Sequence, residues 1–257
     1  MSHYCFRPLI EQLEKSEDVI ALDLPGFGES DRPPLDAFSY AFTAMSEVVE
    51  AVLDRLEVPR AIFLGHSLGA GVAMTLAAQR PARVEKLIVV SGSLYQLAWP
   101  APIRPLMMPA IGPFLFRNAF TKWQLKQKLR ADFPRAPELV DDEFVDYYWE
   151  RLHRAGGPEA AYAVFLTIAA QSDNNADPGR IRCKTLLLWG EEDRLVPLHH
   201  GKRLSRAIAG AELKVVPATG HFSYIERTEE FMRLLSPFLQ TDASAVTITP
   251  VPSRHAG

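Results

Sequence analysis

The 257-residue sequence has very few cysteines, only Cys5 and Cys183, and they lack the close spacing of a zinc site. Small secreted domains that depend on disulfides carry many more cysteines in a shorter chain, so this scarcity indicates a reducing compartment. A chain of this length can also bury a core large enough to fold without disulfides or metals. We therefore expect a cytoplasmic protein that holds no metal.

Long apolar runs and an excess of basic charge are missing as well. No stretch of about 18 apolar residues occurs, so no transmembrane helix is predicted. Residues Met1 to Phe6 have neither the charged nor the apolar region of a signal peptide. The 28 Lys and Arg against 31 Asp and Glu give a net charge of −3. Because nucleic-acid binding leaves a basic footprint, no nucleic-acid partner is expected.

What the sequence does contain is an alternation of short apolar runs with amphipathic helical patterns. Strands are predicted at Val19–Leu24, Ala61–Leu64, Val84–Val90, Thr185–Trp189 and Leu213–Val216. Helices are predicted at Phe42–Leu56, Leu68–Gln79 and Phe231–Leu239. Strand and helix in alternation favour an α/β fold, with a mostly parallel sheet covered by helices on both faces.

The alternation stops between the third and fourth predicted strands. This stretch contains many prolines and three of the four tryptophans but no strand pattern. We interpret residues 95–178 as a helical insertion into a core formed by residues 1–94 and 179–240. Residues 241–257 lack periodicity and are predicted to be a loose tail.

The first chemical motif is Gly65-His66-Ser67-Leu68-Gly69, a G-x-S-x-G sequence between a predicted strand and a predicted helix. A sharp turn there exposes the serine hydroxyl, and small flanking residues let helix and strand approach. The N–H of Leu68, at the helix start, is the expected donor to a developing oxyanion. A chain of this glycine content contains such a motif by chance about one time in ten, but seldom in this context.

Two further residues stand where such a site needs them. Asp193 follows the fourth predicted strand, and His221 follows the fifth, so both lie at the edge where open α/β sheets place their sites. The order serine, aspartate, histidine is the order that α/β-hydrolases use. The alternative for Asp193 is a surface acidic run with Glu191 and Glu192.

Taken together, these segments resemble the α/β-hydrolase family, in particular its lidded branch of small esterases, carbon–carbon bond hydrolases and haloperoxidase-like enzymes. The matching segments are Asp23–Asp31, Gly65–Gly69, Gly190–Pro197 and Gly220–His221. The resemblance implies an α/β-hydrolase fold with a helical lid, and no cofactor. It also implies that Ser67 is the nucleophile, His221 the general base and then acid, and Asp193 the residue that orients the imidazole. Related dehalogenases and epoxide hydrolases carry an aspartate at the position of Ser67, so acyl transfer is the expected chemistry.

The family pattern is incomplete at the front of this sequence. Family members have strands before the one matched by Val19–Leu24, and the last ends in a His-Gly motif that leads to a second oxyanion donor. The pattern would place that motif just before Met1, and the missing strand lies inside the family sheet. We expect an incomplete gene product, from a misplaced start codon or a true truncation. The alternative is a divergent front end that still folds, and the DNA upstream of Met1 distinguishes the two.

The insertion supplies candidate substrate contacts. Trp99, Tyr147 and Trp149, together with Phe222 beside the predicted base, would suit a small hydrophobic, ester-like substrate. The alternative is that these aromatic residues form the core of the insertion itself. The leading hypothesis is a carboxylic-ester hydrolase. The alternatives are a carbon–carbon hydrolase of dienoates, or a non-catalytic protein that uses the pocket to bind a ligand or partner.

Overall fold

The computed structural model describes residues 2–95, 105–108, 111–118, 121–170 and 176–240. The strands are β1 (Ala61–His66), β2 (Val84–Val90), β3 (Lys184–Gly190) and β4 (Glu212–Val216). The α-helices are α1 (Arg7–Leu13), α2 (Phe42–Arg55), α3 (Leu68–Gln79), α4 (Gly112–Asn118), α5 (Lys122–Asp132), α6 (Asp142–Leu152), α7 (Gly157–Ala170), α8 (Leu198–Ala207), α9 (Ser223–Glu226) and α10 (Thr228–Gln240).

The four strands form one parallel sheet in the order β1, β2, β3, β4. At the centre of the sheet the strands pair without a register shift, and Ile88 of β2 lies between Leu64 of β1 and Leu186 of β3. Because the carboxyl ends of parallel strands share one edge, the turns after β1, β3 and β4 come together there.

The core has two layers, one on each face of the sheet. Alternate residues of the central strands point to opposite faces, as the pleat requires: Leu87 and Leu187 join one layer, and Ile88 and Leu188 the other. Helices α2, α3 and α8 contribute to the first layer, and α1, α9 and α10 to the second. Burial on both faces explains the apolar runs Leu87–Val90 in β2 and Leu186–Trp189 in β3.

One predicted strand is wrong. Residues 18–24 form no strand in the structure, and Val19, Ile20 and Leu22 are 37%, 46% and 39% exposed. A strand needs a neighbour that accepts and donates its backbone hydrogen bonds, and no described strand pairs with this segment. The apolar run alone therefore does not produce a strand here.

Between β2 and β3 the chain forms α4 to α7, and the residues described there include no strand. The insertion is tied to the front of the chain through α6. The Tyr147 ring stacks on Tyr4 with centroids 3.9 Å apart, and Arg151 of the same helix forms a salt bridge with Glu29. The predicted tail, residues 241–257, lies outside the described residues. Across the described part of the chain, every helix is too short or too polar to cross a bilayer.

Candidate active site

Ser67 occupies a strained turn between β1 and α3. Its backbone angles are φ 53° and ψ −115°, a conformation that residues with a side chain rarely adopt. The Ser67 N–H donates to the carbonyl oxygen of Val90 at 2.9 Å, which ties the turn to the end of β2. The turn thus lifts the serine out of the regular strand geometry at the carboxyl edge of the sheet.

The two glycines of the motif differ in their surroundings. A Cβ atom on Gly65 would overlap the backbone of Gly69 and Ala70, so only glycine lets α3 pack this close to β1. A Cβ atom on Gly69 would meet no atom within 4 Å. The expectation that both glycines are needed for close approach is therefore right for Gly65 and wrong for Gly69.

Leu68 is the first residue of α3, so its N–H has no acceptor inside the helix. Such an N–H, at the positive end of a 12-residue helix, favours a negative charge beside the Ser67 turn. This position is the one that the sequence predicted for the oxyanion donor.

Asp193 and His221 form a buried pair. Nδ1 of His221 lies 2.9 Å from Oδ2 of Asp193, and the side chains are 3% and 0% exposed, respectively. The other carboxylate oxygen of Asp193 accepts the N–H groups of Leu195 and Val196, each at 2.9 Å. Both oxygens are thus satisfied, and the carboxylate is fixed by its own loop while it faces the imidazole.

The loops that carry these residues are in direct contact. A Cβ atom on Gly190 would overlap the carbonyl group of Gly220, so glycine permits this approach. The neighbouring acids have other tasks: Glu191 accepts the N–H of Ala218 at 3.0 Å, and Glu192 accepts hydrogen bonds from the guanidinium of Arg135. Of the three acids in this run, Asp193 is the one that meets His221.

His66, the middle residue between Gly65 and Ser67 in the motif, contacts the His221 loop. Its Nε2 lies 2.9 Å from the carbonyl oxygen of His221, and its Nδ1 lies 3.3 Å from the hydroxyl of Tyr224. Burial lowers the pKa of His66 well below its ordinary value. A neutral imidazole has one N–H and one acceptor, and the carbonyl only accepts, so Nε2 carries the proton and Nδ1 is the acceptor nitrogen that faces the hydroxyl of Tyr224. No sequence signal separated His66 or Tyr224 from ordinary core residues.

The end of α5 and the residues that follow it reach the same loop from the insertion. The N–H of His221 donates to the carbonyl oxygen of Asp132 at 3.1 Å. Phe133 stacks on Phe222 with ring centroids 4.7 Å apart, and Pro134 packs against Gly220. Both backbone polar groups of His221 are therefore held, the N–H by the insertion and the carbonyl by His66.

Ser67 and His221 are not joined by a hydrogen bond in the described part of the chain, although His66 and His221 have ring centroids only 4.6 Å apart. The turn of the predicted nucleophile and the loop of the predicted base are therefore neighbours, joined through His66. Catalytic hydrogen bonds often reach their full geometry only in the complex with substrate. Within the described residues, no group of three His, Cys, Asp or Glu side chains is placed to hold a metal ion.

The predicted substrate contacts lie in varied surroundings. Phe222 is 2% exposed and belongs to the core layer beside His221. Tyr147 is covered by Tyr4 on one face and by the guanidinium of Arg151, 3.5 Å from its centroid. Trp149 packs on His153 with centroids 3.9 Å apart. Trp99 lies outside the described residues.

Comparison with known proteins places this geometry in a family. A model of the α/β-hydrolase fold matches residues 1–228. A 2-hydroxy-6-oxo-6-phenylhexa-2,4-dienoate hydrolase of Comamonas testosteroni is 30% identical over 225 residues, which cover 86% of this chain and 77% of that protein. An uncharacterized hydrolase of Bacillus subtilis is 28% identical over 243 residues, covering 93% and 86% of the two chains.

Solved structures agree on the fold. A meta-cleavage product hydrolase from Pseudomonas fluorescens superposes with a TM-score of 0.78 at 25% identity, covering 93% of this chain and 85% of that one. A thermophilic esterase from Thermogutta terrifontis superposes with a TM-score of 0.76 at 20% identity, covering 93% and 86%. The parallel sheet, the strained serine turn and these matches lead to one conclusion: the chain belongs to the α/β-hydrolase family.

Proposed function

We propose that the protein is a serine hydrolase that cleaves a carboxylic ester, or a related acyl bond, of a small hydrophobic molecule. Ser67 is the nucleophile, His221 the general base and then acid, and Asp193 the residue that orients the imidazole. The observation that carries the proposal is the buried Asp193–His221 pair, on a loop that His66 links to the strained turn of Ser67.

The hydrogen bond between His221 and Asp193 determines what each nitrogen can do. Because Nδ1 faces a carboxylate that accepts only, Nδ1 carries the proton and Nε2 has the free lone pair. Rotation of the Ser67 side chain toward Nε2 lets the imidazole take the hydroxyl proton. The serine oxygen then attacks the substrate carbonyl, and Asp193 stabilises the imidazolium that forms.

The rest of the cycle follows from the same groups. The N–H of Leu68 donates to the oxyanion of the tetrahedral intermediate. The imidazolium gives its proton to the leaving alcohol, which departs and leaves an acyl group on Ser67. Water, deprotonated by His221, attacks this acyl group, and the acid product leaves with Ser67 restored. Each proton that His221 accepts is thus returned within the same half-reaction.

A second candidate is hydrolysis of a carbon–carbon bond in a dienoate. It is favoured by the relatives whose names state this activity, including a 2-hydroxymuconate semialdehyde hydrolase of a Pseudomonas species, 30% identical over 248 residues. The same serine, base and acid would serve, but the leaving group is a carbanion that must be protonated on carbon. Substrate preference therefore separates the two candidates.

Labelling with a fluorophosphonate probe tests the nucleophile. The wild type and Ser205→Ala, which changes an exposed hydroxyl on α8, should be labelled, whereas Ser67→Ala should not. Absence of labelling in a well-folded wild type would contradict the proposal and favour the non-catalytic alternative. Rates on short p-nitrophenyl esters against 2-hydroxy-6-oxo-dienoates then decide between ester and carbon–carbon cleavage.

A further inference from the structure

We propose that His66 is a positioning residue for His221, holding the base in place through its backbone carbonyl from within the nucleophile turn. The inference rests on the proposed function, because it assumes that Ser67 and His221 react together. In this role His66 acts through His221, without touching the substrate and without exchanging its own proton.

One hydrogen bond links the nucleophile turn to the loop that carries the base. His66 is the last residue of β1 and precedes Ser67, and its Nε2 lies 2.9 Å from the carbonyl oxygen of His221. This bond joins two residues 155 positions apart in the chain. The turn that carries the nucleophile and the loop that carries the base are therefore linked by one side chain, so the distance between them depends on His66.

The donor of this hydrogen bond is fixed. The hydroxyl of Tyr224 donates to the sulfur of Cys5 at 3.2 Å and lies 3.3 Å from Nδ1 of His66. His66 and Tyr224 are 6% and 0% exposed, so water does not compete for these groups. Because the His221 carbonyl only accepts, Nε2 of the neutral imidazole carries the proton, and exchanging the roles of the two nitrogens would lose this bond.

Three hydrogen bonds hold His221 in place. His221 has its N–H held by Asp132, its imidazole Nδ1 held by Asp193 and its carbonyl held by His66. Without His66 the buried carbonyl of His221 would lose its hydrogen-bond partner, and a shift of the loop that satisfies it would move Nε2 relative to Ser67. Because a misplacement of about 1 Å at a reacting group can lower turnover about 100-fold, the third contact has a measurable consequence.

The variants separate the hydrogen bond from the bulk of the ring. His66→Phe keeps a ring of similar size but removes the donor. His66→Gln places an amide N–H at about the reach of Nε2, whereas His66→Asn places one at about the reach of Nδ1. Tyr224→Phe keeps His66 but removes the hydroxyl beside its Nδ1, and it serves as a second test where a substitution at 66 impairs folding.

The measurements are kcat and KM on a p-nitrophenyl ester, and the NMR signal of the His221 Nδ1 proton in ¹⁵N-labelled protein. We expect His66→Phe and His66→Asn to lower kcat about 10- to 100-fold with KM nearly unchanged. His66→Gln should recover most of that loss, and Tyr224→Phe should give a smaller loss that is not additive with His66→Phe. The His221 proton signal should shift and exchange faster in His66→Phe but not in His66→Gln.

Two results would overturn the inference: unchanged kcat and proton signal in His66→Phe, or equal losses in His66→Phe and His66→Gln. The second result would mean that the ring matters only for packing. Failure of the proposed function has a different signature, since the wild type itself would then lack activity and fluorophosphonate labelling. In that case the NMR signal of His221 alone decides whether His66 positions it.

Discussion

Asp193 divides its two carboxylate oxygens between two partners: Oδ2 faces Nδ1 of His221 at 2.9 Å, and Oδ1 accepts two backbone N–H groups of its own loop. The loop therefore holds the carboxylate in place whether or not the imidazole is present. This division lets a single substitution disturb the pairing with His221 while the loop remains intact.

Asp193→Asn is the substitution that does so. An asparagine can keep its carbonyl oxygen toward the N–H groups of Leu195 and Val196, but its NH₂ group then faces His221 and forces Nδ1 to accept. The imidazole is left in the wrong tautomer, with its proton on Nε2. We expect kcat on an ester to fall about 10⁴-fold with little change in melting temperature. Glu191→Gln is the matched control, since Glu191 meets the backbone of Ala218 and not His221; equal losses in both variants would contradict the assignment of Asp193.

The protein should be more stable with glycine at position 67 than with a residue that has a Cβ atom. A φ of 53° with a ψ of −115° strains any residue that has a Cβ atom. The free energy of unfolding, measured by urea titration, should therefore be about 1 kcal/mol higher for Ser67→Gly than for Ser67→Ala. Both variants should be inactive. At Ser205, inside α8, the same pair of substitutions should show the opposite order, because glycine destabilises a helix by about 1 kcal/mol relative to alanine. The same order at both positions would show that the Ser67 turn carries no strain.

The stability of the protein should fall as pH drops below about 6.5, in part because of His66. Burial lowers the pKa of His66 well below its ordinary value of 6.5, so the unfolded chain takes up a proton that the folded chain excludes. The stabilising contribution is therefore present above pH 6.5 and is lost as pH falls toward the lowered pKa. His66→Gln has no such group, so the wild type should lose up to about 1.4 kcal/mol more per pH unit across this window.

Urea titrations of both proteins between pH 7.5 and about 5 measure this difference, because the other titrating groups are common to the two chains. Burial also lowers the pKa of His200, but His200 is present in both and cancels. Parallel pH profiles would show that His66 does not titrate differently in the folded and unfolded states.

Lys86 should stabilise the last helix. It is 3% exposed within β2, and its Nζ donates to the carbonyl oxygens of Leu239 at 2.7 Å and Phe238 at 3.3 Å, at the end of α10. Both carbonyls lie in the last turn of α10, where a cation interacts favourably with the helix dipole.

Lys86→Met removes the charge and both hydrogen bonds while it keeps the length of the side chain. We expect it to lower the free energy of unfolding by about 1–3 kcal/mol. Lys214→Met is the control, since Lys214 is 30% exposed and reaches α10 only at the carbonyl of Leu234, 3.3 Å away. A Lys86→Met protein at least as stable as the wild type would mean that burying the charge outweighs its hydrogen bonds.

Local sequence patterns predict much of the fold. The structure confirms β2 over Val84–Val90 and α3 over Leu68–Gln79 with the predicted bounds, because continuous apolar runs and small-residue helical patterns are local signals. The parallel sheet follows from the alternation of these elements. The order of Ser67, Asp193 and His221 along the chain, each after a predicted strand, was also sufficient to bring them to one edge of the predicted sheet.

Other features depend on contacts that no local pattern encodes. Val19–Leu24 has the composition of a strand but remains unpaired, since a strand exists only with a neighbour to share its hydrogen bonds. The choice of Asp193 over Glu191 and Glu192 as the partner of His221, and the bond from His66 to a carbonyl 155 residues away, arise only when the loops pack together. Composition and periodicity thus determined the elements and the edge at which they meet. Hydrogen bonds between residues distant in sequence, whose geometry requires the folded chain, decided which groups at that edge face one another.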